Sequence, residues 1–149
     1  MKKLTIGMVL LSVTTFIQAA DISGMWKSVD DKTGFVRAQI QIGKNNQGLY
    51  TGTILKTMTI PGGKPLRYCQ NCPAPFTNKP VAGLQILSGF KIDPSNPNHY
   101  INGKILDPGS GRIYDCIAKL NKSGKQLRLR GYIGISAIGR SQTWIRMDE

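Results

Sequence analysis

The sequence predicts an all-β fold: a single antiparallel β-barrel of about eight strands, preceded by a signal peptide. Three observations predict it. Short runs of alternating apolar and polar residues recur from Trp26 to the C-terminus. Clusters of Gly, Pro, Asn and Asp separate these runs at near-regular spacing. No run beyond residue 20 carries the 3.6-residue apolar period of an amphipathic helix. Short strands joined by tight turns argue for a sandwich or barrel, and closure removes the exposed edges of an open sheet.

The N-terminus comes first in the chain. Met1, Lys2 and Lys3 make a short positive segment, and residues 4–17 are uncharged and mostly apolar. Ile17-Gln18-Ala19 then places tolerated residues where a signal peptidase cuts. The apolar run is shorter than the roughly 20 residues a membrane-spanning helix needs. Residues 1–19 are therefore expected to be a cleaved signal peptide and residues 20–149 one exported domain, periplasmic or secreted, with no integral membrane segment. Cleavage removes Lys2 and Lys3, so a full-chain charge of +12 becomes 18 basic against 8 acidic side chains, a net +10. That charge favours acidic small molecules or anionic surfaces. The basic residues are spread rather than clustered, and the expected compartment holds little nucleic acid, so nucleic acid is not an expected partner.

The strands follow in order. Residues 25–28 read as the first. Val36-Arg37-Ala38-Gln39-Ile40-Gln41-Ile42 alternates strictly, so one face is buried and the other wet. Residues 43–48 close it as a turn, and residues 49–56 form the next strand. Further strands are expected over 84–90, 100–106, 113–120, 126–132 and 142–147. Turn chemistry fills 30–34, 93–98, 107–111 and 121–125. The one long irregular stretch, residues 58–82, holds five prolines and two cysteines. A connection of that length is usually functional or covalently stapled.

Alternation in a barrel assigns a lumen. The inward sets are Val36, Ala38, Ile40 and Ile42; Leu84, Ile86, Ser88 and Phe90; and Tyr114, Cys116, Ala118 and Leu120. Small residues among them leave space, and Tyr114 offers a polar contact for a head group. Candidate ligand-binding residues are Ala38, Ile40, Ile86, Ser88, Phe90, Tyr114 and Ala118. Arg128 and Arg130 join them if the strand twists an arginine to the mouth, because a guanidinium pairs well with a carboxylate or phosphate.

Gly24, Trp26 and Arg146 are the candidates for closing the barrel. If the first and last strands meet, Arg146 can stack on the Trp26 indole as a cation–π pair. Gly-x-Trp on the first strand with Arg on the last resembles the lipocalin and calycin pattern. A wider resemblance covers nearly the whole exported segment. Gly24-Met25-Trp26, Cys69-Gln70-Asn71-Cys72, residues 81–87, residues 107–116 and the run from Arg130 to Arg146 together resemble the bacterial exported family named domain of unknown function 2147. The resemblance implies a lipocalin-like barrel in an exported bacterial protein, with no established enzymatic activity and no ligand or catalytic residues to carry over.

The cysteines leave several chemistries open. Cys69 and Cys72 can bridge locally, or either can bridge to Cys116, and an oxidising compartment favours a disulfide. Cys69, Cys72, Cys116 and His99 also supply a Cys₃His count for zinc, but only one CxxC is present and His99 sits in turn-like sequence, so no metal is expected. Acid–base groups are scarce: His99 is the only histidine and Glu149 the only glutamate. No Gly-x-Ser-x-Gly elbow occurs, and the glycines at 131, 134 and 139 have no βαβ context for a dinucleotide. The expected function is non-catalytic and cofactor-free: binding a small, anionic, amphiphilic ligand inside the barrel. The alternative is an envelope or surface interaction module with a filled barrel, acting through its loops and basic surface. A cavity of about 300 Å³ or more separates the two.

Overall fold

Alternating sequence becomes strand wherever one face can be buried, and here eight such segments pair in chain order around a ring. The structure, a computed structural model, describes residues 21–148; the expected signal peptide lies outside the described residues. The strands are β1 (Gly24–Val29), β2 (Val36–Lys44), β3 (Tyr50–Thr57), β4 (Gln85–Asp93), β5 (Asn96–Leu106), β6 (Ile113–Leu120), β7 (Gln126–Tyr132) and β8 (Gly139–Arg146). Each pairs antiparallel with the next, and β1 pairs with β8 to close the barrel. The described residues contain no helix, so none is long and apolar enough to cross a membrane.

Antiparallel pairing of successive strands puts alternate loops at opposite ends. The β2–β3, β4–β5 and β6–β7 turns stand at one end, with the segment preceding β1. The β1–β2, β3–β4, β5–β6 and β7–β8 connections stand at the other. Between them lies one core, dominated by Trp26, Trp144, Tyr50, Tyr100 and Phe90.

Three local expectations change. Residues 96–99 belong to β5 rather than to a turn, and His99 pairs with Lys119. The turn shrinks to Pro94 and Ser95 because the Asp93 carboxylate accepts hydrogen bonds from the Ser95 amide and hydroxyl, at 2.9 and 2.7 Å. β8 begins at Gly139, three residues before the expected start, because Tyr132 and Gly139 already pair. On β4 strict alternation fails. Gly89 has a positive φ of 73°, and the β3–β4 register shifts on both sides of Gly52. Leu87 therefore turns inward and lies over Gly52, where a Cβ would meet its side chain. Ser88 is only half-buried.

Candidate functional site

The two ends of the barrel differ in what fills them. At the first, Trp26 and Arg146 are cross-strand partners, and the Arg146 guanidinium lies 4.3 Å from the centre of the Trp26 ring. Its Nε donates to Gly124 O and its Nη1 to Ser23 O, both at 2.6 Å, and its Nη2 donates to Asp21 O. The indole Nε1 donates to Ile22 O at 2.9 Å. Gly24 is required beside this pair: its φ is 123°, and a Cβ there would sit 2.9 Å from Arg146 Nη1. Above the plug, Tyr50 and Tyr100 meet edge to face at 5.2 Å. The Tyr50 hydroxyl donates to Asp21 Oδ2 at 2.9 Å; burial first, and then this carboxylate, push the phenol pKa up. Ile22, Ile42, Leu87, Phe90, Ala118 and Leu127 pack around Tyr50 and leave no space for a water molecule.

The other half is open. A cavity of about 850 Å³ runs from the loops down to Ile40, Ile54, Ile86, Leu129 and Trp144. Its floor is apolar and its rim polar. On β8, Arg140, Gln142 and Trp144 share one parity and all line the cavity. Trp144 Nε1 donates to Gln142 Oε1 at 3.2 Å, so the buried indole is satisfied. Ser28, Thr57, Tyr114 and Tyr132 add hydroxyls to the wall. The rim charges are unequal in their partners. Arg37 pairs with Asp30 at 3.3 Å, and Asp30 is further held by Thr33, whose hydroxyl and amide both donate to it. Those hydrogen bonds, with Arg37 a smaller contribution, keep the Asp30 carboxyl below its usual range. Asp107 spends its carboxylate on the Gly109 amide and the Ser110 hydroxyl. Among the described residues Arg140 takes part in no ion pair.

The long connection becomes part of the wall. Cys69 and Cys72 form a disulfide, and both are buried. Around it Cys69 N donates to Lys79 O, Asn78 N to Cys69 O, and Thr77 Oγ1 to Cys72 O. The staple lies against the β5–β6 turn at Gly111, whose φ is 77° and where a Cβ would collide with the Asn71 carbonyl. From this connection Met58, Ile60, Leu66 and Val81 reach the cavity. Cys116 is free and buried on β6, its thiol pushed up to about 12 by burial. With two of its sulfurs joined to each other, the Cys₃His zinc set is not assembled.

The expected ligand residues divide. Ala38, Ile40, Ile86 and Tyr114 line the cavity. Phe90 and Ala118 are interior but belong to the filled half. Ser88, Arg128 and Arg130 do not line the cavity. Ser88 leaves it through the irregularity at Gly89. Leu127 and Leu129 take the inward parity of β7, which leaves Arg128 exposed beside Thr143. Arg130 turns to the β7–β8 loop, donating to Ser136 O, to Ala137 O and to Ser141 Oγ. Sequence reasoning missed Arg140 and Gln142. Their parity with Trp144 was the available signal, hidden for Arg140 because the strand was expected to start at 142.

Residues 24–146 match the family described as "Uncharacterized protein conserved in bacteria (DUF2147)", and the chain belongs to that family. The fold is similar to that of the solved protein HP1028 of the human pathogen Helicobacter pylori, described as belonging to the lipocalin family. The TM-score is 0.70 at 18% identity, over 87% of this chain and 85% of that one. At that identity the likeness establishes the architecture, a lipocalin-like barrel. No curated protein matches the chain.

Proposed function

We propose that this protein is an exported, non-catalytic carrier that holds one small anionic amphiphile in the open half of its barrel. The observation that carries the reading is the cavity itself. At about 850 Å³ it falls within the range of small-molecule sites, and its apolar floor rises to an arginine that pairs with no carboxylate among the described residues. The tail would rest on Ile40, Ile54, Ile86 and Trp144, and Arg140 would take a carboxylate or phosphate head in a bidentate grip. A module with a filled interior would lack this space. Export, with residues 1–19 as its leader, is supported by the Cys69–Cys72 disulfide, which belongs in an oxidising compartment.

Displacement of a fluorescent fatty acid tests the reading. Binding is expected to be saturable with one site and to weaken as salt screens the rim. Arg140→Gln should lower affinity about tenfold, equivalent to about 1.4 kcal/mol, and flatten the salt dependence. Absence of binding by any single-chain amphiphile would overturn it.

A further inference from the structure

The loop from β7 to β8 carries three isoleucines into solvent at the rim of the mouth. Ile133, Ile135 and Ile138 are 68%, 60% and 75% exposed. Phe35 and Leu66, on neighbouring connections at the same end, are exposed as well. Single exposed apolar residues are ordinary, but a group of this kind at one rim marks a contact surface. The loop is braced rather than slack. Arg130 ties the Ser136 and Ala137 carbonyls and the Ser141 hydroxyl together, and Ile138 N donates to Ile135 O. The brace occupies backbone carbonyls that would otherwise need water and leaves the isoleucine side chains facing out.

The same rim carries Lys32, Arg37, Lys64 and Arg140 against Asp30, Asp31 and Asp107. Arg37 and Asp30 pair with each other and Asp107 is held by its own turn, which leaves Lys32, Lys64 and Arg140 against Asp31, on an exported segment with 18 basic and 8 acidic side chains. Apolar side chains with lysine and arginine around them match one surface chemistry: acyl boundary beneath, anionic phosphate above. We propose that the open end docks on the surface of a bilayer containing anionic lipid, with the β7–β8 tip as its insertion point. The proposal goes beyond the carrier reading and stands without it: Ile133, Ile138, Leu66 and the rim cations border the cavity mouth, but docking uses their exposure at the rim and needs no ligand inside. A protein partner would also accept the isoleucines, but the excess of Lys32, Lys64 and Arg140 over Asp31 among the rim charges outside ion pairs and turns favours a uniformly anionic plane.

Sedimentation of the exported segment, residues 20–149, with vesicles tests the proposal. It should pellet with an equimolar mixture of phosphatidylethanolamine and phosphatidylglycerol, far less with pure phosphatidylcholine, and less as salt rises. Ile135 is exposed and does not line the cavity, so its substitutions spare both fold and lumen. Ile135→Glu should lower vesicle affinity about tenfold or more, because a carboxylate is repelled by the anionic plane and resists entering it. Ile135→Trp should add a fluorophore whose emission shifts to the blue on mixing, against a background from Trp26 and Trp144 that are already buried. Failure to pellet with the anionic vesicles, equal pelleting of Ile135→Glu, or an unshifted tip emission would overturn the docking proposal. Fatty-acid displacement without vesicles reports on the cavity separately, so either reading can fail while the other holds.

Discussion

At the Trp26 end of the barrel, side chains satisfy one another; at the Arg140 end, they wait for solvent or a ligand. Arg146 spends its guanidinium on three backbone carbonyls and an indole face. Arg140, on the same strand six residues earlier, has no ion-pair partner among the described residues and lines an 850 Å³ cavity. The same residue type thus serves closure at one end and recognition at the other. The difference lies in what surrounds it: aromatic packing that leaves no space for water below, and loops too far apart to fill the space above. One end anchors the ring so that the other can stay hollow.

The comparison breaks most sharply at Trp26. Trp26→Ala removes a fully buried indole from the plug and should destabilise by about 3–5 kcal/mol, read as a lowered urea midpoint. Arg146→Lys keeps the charge but loses the fork that reaches three carbonyls, and should cost about 1.5–3 kcal/mol. Arg140→Gln, in contrast, should stay within about 0.5 kcal/mol of the parent, as surface changes do. A large loss of stability from Arg140→Gln would mean that the open end is also structural.

The closed end was legible in the sequence because its parts carry their own chemistry. A Gly-x-Trp at the first strand and an Arg on the last suffice once the strands meet, and the alternation of β2 and β6 specifies which faces go inward. The open end was harder to read. Its wall draws on Met58, Ile60, Leu66 and Val81, which lie in irregular chain with no period to read. Arg140 sat before the expected start of β8, among glycines that read as a bend. Ser88 was misplaced because one positive φ at Gly89 defeats a parity count. Residues 96–99 read as a turn because Asn, Pro and Asn have turn composition, although hairpin geometry needs only Pro94 and Ser95. Alternation is a local signal, and a cavity mouth is assembled from distant loops.

The open end depends on its staple instead of on a packed plug, which suggests the next test. Reducing Cys69–Cys72 opens a short loop and should cost about 2 kcal/mol on the chain-entropy relation. Because Cys72 and Asn71 pack on the β5–β6 turn, reduction should also weaken fatty-acid binding while leaving the Trp26–Arg146 end intact. Thiol counting gives an internal check. Without reductant the folded chain should show no reactive thiol, and denaturation should expose only Cys116, whose burial keeps its thiolate scarce. Three reactive thiols after denaturation without reductant would remove the staple from the account.

The smallest expected effect is a pH dependence seated at the closed end. Asp21 is partly buried, which alone would raise its pKa. Hydrogen bonds from the Ser23 amide at 2.8 Å and the Tyr50 hydroxyl at 2.9 Å, with Lys44 at 3.8 Å, outweigh that burial and hold the carboxyl below its usual range. A group depressed in the folded state stabilises the fold fully above its unfolded pKa and loses that contribution as pH falls through the folded value. Stability should therefore change little on this account from neutral pH down to about 5, then decline below about 4, where the unfolded carboxyl takes up its proton first. Asp21→Asn keeps an oxygen acceptor for Tyr50 and removes the titration, so its urea midpoint should fall less steeply below about pH 4. Asp30 is also depressed, by Thr33 and its own turn, but these bonds are solvent-exposed and span at most three residues, so screening weakens them and the unfolded chain keeps part of them. Asp30→Asn should leave the acid limb close to that of the parent. Equal flattening by both variants would show that acid sensitivity is shared between the ends.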